Sequence, residues 1–359
     1  MTHRSFTVVG VPALLAILAL TAVPLAGQAP APAAKNGGAT KAYVQPKTAD
    51  GQPDLSGYWT VSTYIPFERP KNVTKEFYTP EEMAKIEKDE AAIEENHREA
   101  KPGDPEDVHY DRTQFGLTRS QIRFARNLRT ALIFDPRDGR IPPQTAEAQK
   151  RNAEVAAARK LRGGDLDAVQ NMAFDDRCVM MPGHQPPIFH SGYFPNYQIV
   201  QSPGYVTILS ERLHDARIIP LDGRPFSPSK VRSWTGISRG HWEGNTLVVE
   251  TRNTNGKIQA AASGPMSQQA VVGASEELRV VERFTRVHAD AIEYRFTVED
   301  PKTWARPFSG EVPFVKMEIQ GPFFEHACHE GNRAPTNMLS VARFQEKKAA
   351  EAAAKKSSN

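Results

Sequence analysis

The densest run of reactive side chains is 323–332, FFEHACHEGN, which holds His326, Cys328, His329, Glu330 and Asn332. Imidazole titrates in the physiological range, and a nearby carboxylate is a natural partner in proton transfer, so His329 and Glu330 are candidate acid–base residues. His326 and His329 have the three-residue spacing of a zinc pair if the segment is helical. The order is not the His-Glu-x-x-His of a zinc-protease helix, and covalent haem attachment needs a second Cys close by. The bland alternative is a polar, hydrogen-bonded setting around a disulfide.

A second cluster, Glu211, His214, Asp215 and Arg217, falls at a hairpin. On an alternating strand Glu211 shares a side with Tyr205, Thr207 and Leu209. An inward carboxylate in a barrel needs a partner or a raised pKa, and Arg217 or Arg224 is available to pair with it. A rim salt bridge of little consequence is the alternative. Glu282 interrupts the apolar run RVVERFTRV and is another inward-carboxylate candidate. Arg239, Trp242 and Glu243, in SRGHWEGNTLVVE, offer an aromatic ring beside charge that suits a flat or apolar ligand, unless Trp242 is core packing. His184 and His190, in PGHQPPIFH, complete the candidate ligand-binding set.

Cys178 and Cys328 are the only cysteines. In an oxidising compartment an isolated pair forms one disulfide, here closing a long loop worth about 5 kcal/mol in the chain-entropy model. Such a bridge would bring His184 and His190 toward His326, His329 and Glu330. The compartment follows from the N-terminus. Arg4 precedes an apolar run over 8–26 with small residues after it, the order of a secretory signal cut near residue 29. Periplasmic or secreted location is expected, with no stable membrane span after cleavage.

These residues need elements to position them. Residues 30–49 are rich in Ala, Pro and Gly and read as a flexible leader. Residues 50–343 read as one β-rich domain, followed by a charged helical tail over 344–359. Helical insertions are expected near 79–98, where Thr79 and Glu82 make a capping box, and near 145–161. Short strands separated by turns follow from residue 196, and Gly244-Asn245 is a two-residue hairpin signal. Strict alternation over 292–299 puts one face in a core. Consecutive hairpins predict an antiparallel meander that closes into a barrel or curves strongly, with peripheral helices. Gly57-x-Trp59 at the head of the first strand is similar to the opening of lipocalin-type barrels.

The strings YQIVQSPGYVTIL, RIIPLDGRPFSPS, SRGHWEGNTLVVET, ELRVVERFTRV and FEHACHEGN together resemble a large, uncharacterised family of exported bacterial proteins. The resemblance runs from about Gly51 to Arg343. It implies export and a β-rich domain, and carries no activity with it.

Three functions remain open. The first is a barrel that binds a small apolar or aromatic molecule. The second is a cofactor-independent lyase, isomerase or hydrolase in which His329 or His214 is the base, with Glu330, Glu211 or Arg217 as its partner. The third is a metal-binding protein centred on His326 and His329. No organic cofactor and no metal are assigned by the first two. No basic stripe interleaved with aromatics points to nucleic acid. There is no Gly-x-Ser-x-Gly elbow, phosphate loop, dinucleotide fingerprint or calcium loop.

Overall fold

A computed structural model describes residues 43–63, 65–86, 88–89, 128–161, 168–181, 185–189, 195–257, 271–318 and 321–357. The expected signal and most of the expected leader lie outside these residues, as do His184, His190 and the later part of the helix expected over 79–98. The fold is a mainly antiparallel sheet of ten strands with helices outside it. The strands are β1 Gly57–Thr60, β2 Ile133–Asp135, β3 Asn196–Ser202, β4 Tyr205–Ser210, β5 Ala216–Pro220, β6 Ile237–Glu243, β7 Thr246–Arg252, β8 Arg279–His288, β9 Ala291–Glu299 and β10 Phe308–Lys316.

Their order is β5-β4-β3-β1-β10-β9-β8-β7-β6, with β2 paired to β10 as well. Nine strands, each antiparallel to the next, leave the two end strands running parallel. These ends, β5 and β6, meet through side chains and nearly close the barrel. Gly240 on β6 shows how tight the seam is, because a Cβ there would stand 2.8 Å from both Ile219 Cγ2 and Leu221 Cδ2. Only glycine lets the two edges approach this closely.

Alternation decides what fills the interior. On β8, Val280, Glu282, Phe284 and Arg286 are buried, and on β9, Ile292, Tyr294, Phe296 and Val298 are buried. Trp59, Tyr197, Ile199, Ile219, Leu247, Val249, Phe308, Val312 and Phe314 join them in one core. Tyr294 lies between Phe284 and Phe314, tilted to the first and edge-on to the second, with ring centroids at 4.7 and 5.3 Å. Aromatic and branched side chains of the chain itself therefore pack the barrel.

The alternating strand directions sort the connections to two ends. The tight turns after β3, β6 and β8 share one end. There Trp59 donates its indole N–H to Leu55 O at 3.0 Å, and the Arg286 guanidinium lies 5.4 Å over the Trp59 ring while bonding Asp54 O. The opposite end carries the longer connections, and we call it the loop end.

The helices are peripheral. Thr79 and Glu82 form a reciprocal cap, Glu82 N to Thr79 Oγ1 at 3.3 Å and Thr79 N to Glu82 Oε2 at 2.8 Å, before a helical stretch at 80–86. Helix α1, Ala146–Leu161, starts on a Thr145 cap and buries Ala148. Helix α2, Ala334–Ser357, starts earlier than the charged tail suggests, with Asn332 Oδ1 accepting from Ala334 N. Residues 43–49, assigned by composition to the leader, instead pack on the domain. Asp54 N bonds Pro46 O at 2.8 Å, and Tyr43 faces the His288 ring at 5.9 Å. Among the described residues no helix is long and apolar enough to cross a membrane.

Candidate functional site

The loop end is where polar groups converge. Strand β4 ends at Ser210, and Glu211 N still bonds Asn196 O on β3 at 3.0 Å. The chain then turns tightly through Arg212–His214, and Ser210 N–H closes the turn by donating to Asp215 O at 2.9 Å. Leu213 and His214 sit in the left-handed region, with φ of 56° and 50°. L residues adopt that conformation at a cost of roughly 1–2 kcal/mol each, so surrounding contacts must hold it.

Those contacts come from His326. The segment after β10 passes Tyr58, whose ring meets Phe323 edge-on at 5.1 Å, and returns to the loop end. Leu213 N–H donates to His326 Nδ1 at 3.3 Å, and His326 N–H donates to His214 Nδ1 at 3.1 Å. A main-chain N–H can only donate, so both Nδ1 atoms are acceptors. The neutral His214 ring therefore carries its proton on Nε2. Burial, with Arg212 and His214 beside it, holds His326 below the ordinary histidine range.

Glu211 completes the cluster. Burial pushes its carboxyl up, while the hydrogen bond from Asn196 Nδ2, 2.7 Å from Oε2, draws it back. The expected partnership of Glu211 with Arg217 or Arg224 does not form. Arg224 reaches Tyr205 Oη at 2.9 Å and Asp222 instead. Glu211 lies beyond the end of its strand, so the outward side it shares with exposed Tyr205 does not carry it into the barrel.

Arg217 points inward from β5. Its Nη1 and Nη2 donate to Glu282 Oε2 and Oε1 at 2.7 and 3.1 Å, a two-pronged pair across the barrel. Tyr294 Oη donates to Glu282 Oε1 at 3.0 Å and accepts from Ile188 N–H at 2.7 Å. Burial, followed by the Glu282 charge, drives Tyr294 far above the ordinary phenol range. The stretch 185–189 is thus buried against the barrel core, with Phe189 against Phe67 at 5.6 Å between ring centroids. Tyr197 is buried beside the same group, its phenol pushed up by burial and drawn back by Arg212 and Arg217.

The disulfide lies at this end too. Cys178 and Cys328 are joined, with Cα atoms 5.8 Å apart. Cys328 N–H bonds His326 O at 2.8 Å, and Asn332 Nδ2 bonds Asp176 O at 2.9 Å. The bridge therefore anchors the segment that carries His326.

The other candidates stand elsewhere. His329 and Glu330 are exposed just past the disulfide. His326 turns to Leu213 and His214, and among the described residues no three His, Cys, Asp or Glu side chains come together to hold a metal ion. Trp242 lies on the inner face of β6 against the core. Arg239 and Glu243 are one residue out of phase with that side of the strand. Arg239 packs on Phe226 and bonds Pro225 O, while Glu243, held below the usual carboxylate range by Arg283 and His241, is exposed. The three do not line one mouth. Asn196, Arg212, Tyr197 and Tyr294 were not anticipated. Only the period of two could have flagged Tyr294, as the inward neighbour of Glu282.

Comparison with family models, curated proteins and solved structures finds no match. Fold and site together define a nearly closed, filled antiparallel barrel with a carboxyl–imidazole cluster at its loop end.

Proposed function

We propose that this protein is an exported barrel that binds a small molecule at its loop end and moves a proton on it without an organic cofactor. Glu211 is the base, His214 the hydrogen-bond donor and His326 the residue that positions His214. The observation that carries this reading is the pair of main-chain bonds that fixes His214 with its proton on Nε2 beside a partly buried carboxyl of raised pKa. A carboxylate whose pKa is lifted toward neutrality is a better-matched base. A neutral imidazole N–H is suited to stabilise an oxygen that gains charge.

The chemistry is proton abstraction from a carbon next to a carbonyl. Glu211 takes the proton, the C–H electron pair moves into the carbonyl as an enolate, and His214 Nε2–H bonds the enolate oxygen. Return of a proton from the Glu211 carboxyl to the same carbon restores the carbonyl, so the net result is exchange of that hydrogen with solvent. The packed barrel core leaves the loop end as the place for the small molecule. Export is supported by the N-terminal sequence and by a disulfide, which persists in oxidising compartments. The test is solvent-deuterium exchange at the acidic carbon of a panel of small carbonyl compounds, followed by proton NMR. The wild-type protein should accelerate exchange, and Glu211→Gln should abolish the acceleration while keeping the fold. Equal exchange by both would refute Glu211 as base.

A second reading is binding without chemistry. Trp234, 37% exposed, meets Phe174 edge-on at 5.0 Å, and Arg177 lies over Phe174 at 5.0 Å. This aromatic surface suits a flat apolar ligand. Loss of ligand binding in Trp234→Ala, with no exchange activity in the wild type, would favour it.

A further inference from the structure

Among the described residues Glu282 is the one carboxylate on the inner face of the barrel strands, with Val249 and Phe296 as cross-strand neighbours and no exposure. Packing does not explain it. An apolar pair of similar volume is often as stable as a buried ion pair, or more stable. What the arrangement achieves is a rigid guanidinium. Both oxygens of Glu282 grip Arg217, and Tyr294 ties Glu282 in turn to the buried stretch 185–189.

Arg217 is not sealed in as Glu282 is. Its side chain is 11% exposed against 0% for Glu282. A guanidinium offers five N–H donors, and two go to Glu282, so three remain for another acceptor. It also stands where the proton-transfer cluster stands. It is the second residue of β5, the strand that leaves the turn carrying His214, and His326 N–H donates to His214 Nδ1 in that turn. The planar fork of arginine matches a carboxylate in a way that a lysine ammonium does not.

We infer that Arg217 is an anion-binding residue, and that the small molecule acted on at the loop end carries a carboxylate that docks on the N–H edge not used by Glu282. Glu282 and Tyr294 are positioning residues that hold the guanidinium. The inference rests on the proton-transfer reading of the same site and names its substrate class: a carbonyl compound bearing a carboxylate. A carboxylate next to the carbonyl places two oxygens on one side of the enolate, one for Arg217 and one for His214.

The test uses the full exported chain and oxalate, a flat dianion shaped like such an enolate, with uncharged oxamide as control. Titration is followed by calorimetry and by the ring and guanidinium N–H signals in 15N spectra. Oxalate should bind saturably and shift His214 and Arg217, and oxamide should do neither. The double variant R217M/E282L removes both charges, so it should fold, and should bind oxalate about tenfold more weakly or worse. Arg217→Lys keeps a charge beside Glu282 and should weaken binding too, which covers a failure of the double variant to fold. Oxalate binding that is unchanged in either folded variant, or that leaves His214 and Arg217 unshifted, overturns the inference. Glu211→Gln separates the two readings. It should keep oxalate binding even though it loses proton exchange. Exchange by the wild type without oxalate binding would sink the anion site and leave the base standing.

Discussion

At the residue scale the loop-end cluster has opposing pH signatures. His326 is held below the ordinary histidine range, so between its folded value and the ordinary value near 6.5 the unfolded chain binds more protons. Stability therefore rises with pH through that window and is lost as pH falls through it. Glu211 is raised, so ionising it costs more in the folded state, and its own contribution declines as pH rises through its raised value. The variant His326→Asn keeps an acceptor for Leu213 N–H and removes the titration. Urea unfolding at pH 7.5 and pH 5 should show a smaller loss of stability in this variant than in the wild type. Equal losses would remove His326 as a source of the slope.

The same scale shows what the sequence could not convey. His214 and His326 are far apart in the chain, and they meet because Leu213 and His214 adopt left-handed backbone. No propensity predicts that for a leucine, because the contact that stabilises it is tertiary. His329 and Glu330, the more conspicuous pair on paper, are exposed. Glu282 was legible, since a charge breaking an apolar strand has to be explained. Its partner was not, because Arg217 faces it across the barrel from another strand.

At the element scale the meander was legible because its signals are local. Gly244-Asn245 fixes the β6–β7 hairpin, and the period of two in β9 fixes its inner face. Strand β10 begins at Phe308, ahead of the apolar run from Val312, and so takes in Ser309 and Gly310. They are strand residues that pair with both β9 and β2, and Gly310 is small because Phe296 and Leu132 O crowd it. The seam between β5 and β6 yields a prediction. Gly240→Val puts carbon where Ile219 and Leu221 already touch, and overpacking of that kind costs typically about 1–3 kcal/mol. Thermal unfolding should show the loss, and a variant as stable as the wild type would mean that the seam is loose. Tyr294→Phe strips Glu282 of a donor and Ile188 N–H of its acceptor, and should cost about 1–3 kcal/mol by the same measurement.

At the scale of the whole molecule the two ends of the barrel differ in purpose. Tight turns and the Trp59–Arg286 contact close one end. The other end gathers the turn at Glu211–Asp215, the His326 segment and the bridge between Cys178 and Cys328. The bridge spans a sequence separation of 150, so its removal should cost up to about 5 kcal/mol in the chain-entropy model. Replacing both cysteines by serine should lower the midpoint of unfolding. It should also broaden the His214 and His326 signals, because the segment that carries His326 loses its anchor. Sharp, unshifted signals would mean that the bridge is remote from the site in effect.

The central claim is that His214 meets its substrate as a neutral donor beside Glu211. The most direct measurement is the 15N spectrum of the histidine rings at pH 7.5, assigned through a His214→Asn variant. The account predicts a His214 ring with a proton on Nε2 and a bare, hydrogen-bonded Nδ1. A ring protonated on Nδ1, or on both nitrogens, would contradict it.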